Sequence, residues 1–239
     1  MLTTSAKKGA HLGTLFSLHG VVLRRWSGFR GYPELQVERA SESLRTGAEY
    51  LRSRFSRPFL IEDTEVRIEA YSRGTRFSYP GFDLKRWWSV TTFEEIDAKC
   101  RQKGTREVRQ TSSICLSVPG LPPTVFRGVV RGTIAHDPYR GPERPDAPWL
   151  NPGEFGTIFV PDGANLPFAA MPLAESFRYD FRKRAVDQVV ARLSELNTIL
   201  NLEQSCYVVD DELESVVGPQ LELFPLDDGG TNGTLGDPH

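Results

Sequence analysis

The chain has 239 residues, 39% of them hydrophobic and 25% charged, with a formal net charge of −2, enough material for one substantial core and one main domain. No apolar run approaches the roughly 18 to 20 residues that a membrane span needs, and Met1 to Lys8 opens no signal-peptide core, so a cytoplasmic protein with no membrane partner is expected. Cys100, Cys115 and Cys206 are widely spaced thiols without a C-x-x-C pair, beside four scattered histidines, which argues against a disulfide framework, a structural zinc site or any other cofactor.

The charge is unevenly spread. Residues 203 to 239 hold nine acids and no Lys or Arg, which leaves 29 basic against 22 acidic residues, a net +7, in the rest. The expected organisation is a single domain over residues 1–209 with a basic surface, followed by an acidic, disordered tail over 210–239. Such a tail can lie over a basic surface until a nucleic acid displaces it. An acidic tail that merely keeps the chain soluble is the alternative.

In chain order, Leu12 to Trp26 is rich in apolar and β-forming residues and predicts one or two strands, with Gly13 and Gly20 as bends. It runs into Arg24, Arg25, Trp26 and Arg30, an interleaving of cations and aromatics that can hold phosphates and stack bases; a loop that plugs the core with Trp26 is the plainer reading. Leu44, Ala48, Leu51 and Phe55 share one face of a helix over 38–55, which Pro58 stops. Thr64 to Tyr71 and Arg76 to Tyr79 predict a hairpin. Lys85, Arg86, Trp87 and Trp88 form a second basic and aromatic cluster; read as a strand, it buries one tryptophan and leaves the other to stack a base.

Thr92-Phe93-Glu94-Glu95 matches a capping box and opens a helix that closes near Lys103-Gly104. Strands over 106–118 and 124–135 follow, the second with Arg127 and Arg131 on one face. Residues 136–156 carry five prolines and read as a long loop, Thr157 to Val160 as a short strand, and residues 173–203 as one continuous helix. Cys206 to Val209 adds a possible last strand. The fold class is α+β: a mixed or mostly antiparallel sheet of about six to seven strands with two main helices.

Motif searches for chemistry find no phosphate loop, nucleophile elbow or H-E-x-x-H, so no catalytic residue is assigned and an enzyme is not the expected class. Glu62, Asp63 and Glu65 come nearest to a metal-dependent nuclease site, but their spacing equally suits a solvated turn.

The most specific signal lies in the tail. Gln220-Leu221-Glu222-Leu223-Phe224 resembles the bacterial β sliding-clamp-binding peptide, Gln-Leu, then Ser or Asp, then Leu-Phe, with Glu222 departing at the third position. The resemblance implies that Leu223 and Phe224 anchor in an apolar pocket of the clamp while Gln220 and Leu221 complete the contact. Leu223 to Asp227 is also similar to a clathrin-box peptide, and the same residues suit a strap packed on the body.

The function expected from these observations is a nucleic-acid-binding accessory protein of DNA replication, repair or mobile-element maintenance. It would contact single-stranded DNA through Arg24, Arg25, Trp26, Arg30, Lys85, Arg86, Trp87, Arg127 and Arg131. The clamp-binding peptide Gln220, Leu221, Leu223 and Phe224 would recruit it. A metal-dependent nuclease and an assembly protein whose tail docks on a neighbour, as in a homo-oligomer, are the alternatives.

Overall fold

Strands alternate their side chains between two faces, and where helices cover both faces the sequence of a strand becomes almost continuously apolar. In the computed structural model, which describes residues 1–3, 5–26 and 40–200, β1 (Phe59–Ile68) and β3 (Glu107–Ser117) are buried along most of their length but keep polar residues there, Glu62 in β1 and Gln110 to Ser113 in β3. With β2 (Pro80–Gly81), β4 (Thr124–Ile134) and β5 (Phe159–Pro161) they form a five-stranded sheet in the order β2-β1-β3-β4-β5, antiparallel throughout.

Seven α-helices accompany the sheet among the described residues: α1 (Ala6–Ser17), α2 (Ala40–Arg52), α3 (Glu69–Ser72), α4 (Leu84–Trp88), α5 (Phe93–Lys103), α6 (Leu173–Ser176) and α7 (Phe181–Leu200). Leu60, Ile114 and Leu116 pack against Leu12, Leu15 and Phe16 of α1 and Val186 and Val189 of α7. Ile61 and Cys115, on the opposite face, pack against Leu44, Ala48 and Leu51 of α2. A third cluster, from Val66 and Ile68 through Ile96, Val130, Trp149 and Phe159, fills the far end. The close approach of α7 to β4 requires a glycine, because a Cβ on Gly128 would lie 1.9 Å from the Phe181 carbonyl oxygen.

The α+β class and the antiparallel sheet are as expected, but among the described residues the sheet has five strands and more helices surround it. Residues 12–26 are the largest departure, since α1 replaces the expected strands. Ser5 accepts a hydrogen bond from the Lys8 amide as its N-cap, and His11, Leu12, Leu15 and Phe16 form one buried stripe at helical spacing. Gly13, read as a bend, and Gly9 are tolerated within the helix because packing outweighs roughly 1 kcal/mol each.

The expected hairpin is also different. β1 starts at Phe59, and the chain leaves it through α3 and returns only as the two-residue β2, pairing Gly81 with Val66. Trp87 and Trp88 stand on the helix α4, not on a strand. The long C-terminal helix is broken: α6 and a 3₁₀ turn precede Asp180, and α7 starts after it. By contrast, α5 has both hydrogen bonds of the capping box at Thr92 and Glu95 and a left-handed C-cap at Gly104, as its sequence predicts. The possible strand at Cys206 to Val209 and the acidic tail lie outside the described residues.

Candidate functional site

One residue of β1 is both charged and buried. Glu62 follows Phe59, Leu60 and Ile61, points to the face covered by α1 and α7, and has a side chain with no solvent exposure. An isolated carboxylate there would be costly, so partners must surround it. Lys8, in the first turn of α1, places Nζ 2.9 Å from Oε2 and also donates to the Glu62 carbonyl at 3.1 Å. Arg182, in the first turn of α7, brings Nε to 3.4 Å from Oε1. The hydroxyls of Ser112 and Thr64 donate to Oε1 at 2.7 and 2.9 Å. Burial raises the Glu62 pKa, but the Lys8 and Arg182 charges and the Ser112 hydroxyl outweigh it and bring it down to about 2. The group is therefore ionised throughout the neutral range, and it organises cations instead of exchanging protons.

The network continues from Arg182. Its Nη2 donates to the Thr64 hydroxyl at 2.8 Å, and Nη1 lies 3.3 Å from His11 Nδ1. His11 is 1% exposed, stacks on Trp149 with centroids 4.3 Å apart and planes at 3°, and places Nε2 2.5 Å from Asp180 Oδ2. The other Asp180 oxygen accepts from the Arg182 and Lys183 amides at 2.8 and 3.2 Å, the hydrogen-bond pattern of an N-cap. Burial lowers the His11 pKa against the pull of Asp180, which favours a neutral ring. Burial opposes ionisation of Asp180, yet the His11 ring, the Arg182 guanidinium and the Lys183 amide hold its carboxyl below the usual range.

At the outer edge, Lys7 pairs with Glu154 and remains 57% exposed, while Lys8 and Arg182 are 21% and 15% exposed. The starts of α1 and α7 thus bring together three cations, Lys7 and Lys8 from the first and Arg182 from the second, with the buried Glu62 carboxylate behind Lys8 and Arg182, an arrangement suited to an anionic ligand. Among the described residues no three His, Cys, Asp or Glu side chains converge to hold a metal ion.

The residues expected to touch nucleic acid are not brought to this site. Arg24 and Arg25 are exposed beyond α1, and Trp26 packs edge-on against Phe55 at 4.8 Å. Lys85 and Arg86 flank an open groove with Phe82, Asp83 and Ser89. Trp87 is 8% exposed and belongs to the core, and Trp88 commits its indole N–H to the Gly153 carbonyl at 2.5 Å, so neither is a free stacking platform. Arg127 and Arg131 do share the exposed face of β4. Arg30 and the peptide Gln220, Leu221, Leu223 and Phe224 lie outside the described residues. The proline-rich loop is ordered by core packing of Trp149 and Leu150 and by donation from Arg144 Nη1 to the Met171 carbonyl at 2.6 Å.

The residues that sequence reasoning missed are Lys8, His11, Asp180 and Arg182, and it left Glu62 undecided between a metal-dependent nuclease carboxylate and a member of a solvated turn. One signal was available: an acid inside Phe59-Leu60-Ile61-Glu62, where burial demands compensation. Its partners lie 54 residues before and 120 residues after it, at no motif spacing.

The fold and the site together define an α+β domain whose antiparallel sheet buries an acid among cations from two helices, and comparison with known proteins gives its family. The Ham1 family matches residues 1–192, and the chain belongs to that family. Two solved structures share the fold: the Ham1 protein of Staphylococcus aureus, with TM-score 0.60 and 16% identity over 81% of this chain and 96% of that one, and a HAM1 protein from Coxiella burnetii, with TM-score 0.59 and 20% identity over 81% and 96%. The dITP/XTP pyrophosphatase of Methanopyrus kandleri is 28% identical over 159 residues, 66% of this chain and 76% of the relative. That of Thermococcus kodakarensis is 28% identical over 166 residues, 69% and 80%.

These findings overturn the expectation of a non-enzymatic DNA-binding accessory protein with single-stranded DNA and the sliding clamp as partners. The family match covers the body for which no resemblance was seen, and the relatives are named as enzymes acting on nucleotides. The physical reason for the error is that a cationic excess suits a free nucleoside triphosphate as well as a nucleic acid.

Proposed function

We propose that this protein is a nucleoside-triphosphate pyrophosphatase acting on dITP, XTP or closely similar nucleotides. The observation that carries the reading is the buried Glu62 carboxylate holding Lys8 at the start of α1 and Arg182 at the start of α7, in a chain whose relatives are named for that activity. In the reaction, a water oxygen bonds to the α-phosphorus, the α–β bridging oxygen leaves with pyrophosphate, and the nucleoside monophosphate remains. Charge builds on the phosphoryl oxygens, and preorganised cations in a largely dry site stabilise it.

Lys7 and Lys8 with the α1 amides suit the phosphate chain, and Arg182 suits the developing charge because its planar fork is already oriented by Thr64 and His11. Glu62 keeps both cations in place, offsetting their mutual repulsion.

The test is to incubate the purified chain with dITP, XTP, dGTP and ATP in the presence of Mg²⁺, since triphosphates are handled as magnesium complexes. Equal amounts of pyrophosphate and monophosphate from dITP and XTP, with weaker turnover of dGTP and ATP, are expected. Lys8→Ala should lower kcat/KM by on the order of 10²-fold. Release of orthophosphate alone, or no product from any nucleotide, would overturn the reading.

A further inference from the structure

His11 is the element of the site whose role the phosphate-binding reading does not explain. A guanidinium has donors only, so wherever Arg182 Nη1 meets His11 Nδ1, the ring nitrogen must be the acceptor. The ring proton then sits on Nε2, which faces the Asp180 carboxylate at 2.5 Å. Both contacts agree on one neutral tautomer, and the partner of each nitrogen enforces it. The charged groups facing the ring are Asp180 before α7, Arg182 on α7 and Glu62 on β1, and Trp149 closes one flat side.

Asp180 is itself immobilised, since its second oxygen caps α7. The guanidinium is therefore held on three sides, by His11, by Thr64 and by Glu62. The first of these depends on the ring's tautomer, because moving the imidazole proton to Nδ1 points a donor at a donor.

We infer that His11 is a positioning residue: in its Nε2–H tautomer, set by Asp180, it orients the Arg182 guanidinium for the phosphate chain. The inference rests on the pyrophosphatase reading for its kinetic consequence and on the contacts alone for the tautomer.

Asp180→Asn separates the two roles of the aspartate. The side-chain oxygen can still cap α7, while the new NH₂ faces His11 Nε2 and forces that nitrogen to accept, which moves the ring proton to Nδ1. His11→Gln is the rescue variant, because its amide offers a donor and an acceptor in the same order. His11→Phe keeps a flat ring beside Trp149 and loses both polar contacts.

The experiment is long-range ¹H–¹⁵N correlation NMR of the imidazoles in ¹⁵N-labelled protein at neutral pH, with His11 identified by its loss in His11→Gln, alongside kcat and KM for dITP. The wild type should show the Nε2–H tautomer and Asp180→Asn the Nδ1–H tautomer. KM should rise about tenfold in Asp180→Asn and in His11→Phe, as expected for one lost hydrogen bond to a charged group, with a smaller change in kcat, and His11→Gln should stay within about threefold of wild type. A protonated or Nδ1–H ring in the wild type, or an unchanged KM in a folded Asp180→Asn protein, would overturn the inference. If Asp180→Asn does not fold, His11→Gln against His11→Phe decides: equal KM values overturn it. If the wild type turns over no nucleotide, the pyrophosphatase reading fails by itself. Binding of inorganic tripolyphosphate, weaker by the same factor in Asp180→Asn or His11→Phe, then upholds the inference, and equal binding overturns it.

Discussion

Lys8 and Arg182 have the same formal charge as Arg127 and Arg131, and the structure puts them to different use. The first pair reaches inward from two helices to a carboxylate with no solvent exposure, while the second stands exposed along β4 with solvent as its main surroundings. Counting cations treats the two pairs alike, and so the +7 of residues 1–202 suggests a broad basic surface. The difference teaches that the charges the proposed function relies on are those whose cost of burial had to be compensated, and compensation leaves a geometric record that exposure does not.

The comparison is broken most directly by removing the acid. Glu62→Ala leaves two cations facing each other in a buried site and is expected to lower stability by about 3–5 kcal/mol, read as a lower urea midpoint. A midpoint unchanged from wild type would place Glu62 with the surface residues.

A somewhat smaller effect should follow from acid. The folded pKa of Glu62 is depressed to about 2 from an ordinary 4.5, so its contribution is fully present above about pH 4.5 and is lost as pH falls from there toward 2. The loss is on the order of 3 kcal/mol, and Glu62→Gln should flatten that limb of the stability profile. His11 adds a shoulder at higher pH: with a folded pKa below the ordinary 6.5, its contribution holds above that value. It declines as pH falls below 6.5, because the unfolded chain takes up a proton that the ring between Asp180, Arg182 and Glu62 resists. The shoulder should be missing in His11→Gln.

A local motif lies between the extremes. Thr92→Ala removes the capping-box acceptor of α5, which takes a hydrogen bond from the Glu95 amide, and should cost about 1 kcal/mol without altering dITP turnover. Arg127→Ala with Arg131→Ala should change stability by less than about 0.5 kcal/mol each and leave kcat/KM for dITP unchanged. A marked loss of activity in that double variant would show that the exposed pair belongs to the site after all.

How much was legible follows the same division. The capping box at Thr92, the strands over 107–117 and 124–134, and the exposed placement of Arg127 and Arg131 were all readable, because each depends on neighbours a few residues apart. α1 was misread because Gly13 and Gly20 argued for bends and its helical stripe, His11, Leu12, Leu15 and Phe16, is recognisable mainly once α7 and β3 are known to cover it. The break at Asp180 was hidden inside a continuous helical pattern, since an aspartate looks the same mid-helix as it does when it caps the next one.

The sequence by itself determined local structure: helix caps, strand alternation, an antiparallel α+β scaffold and an excess of cations before residue 203. Tertiary structure alone decided which charges matter. Lys8, Glu62 and Arg182 are far apart in the chain and meet only because α1 and α7 lie on the same face of β1. At that face low dielectric makes each charge depend on the others, so a dispersed set of ordinary residues becomes one site.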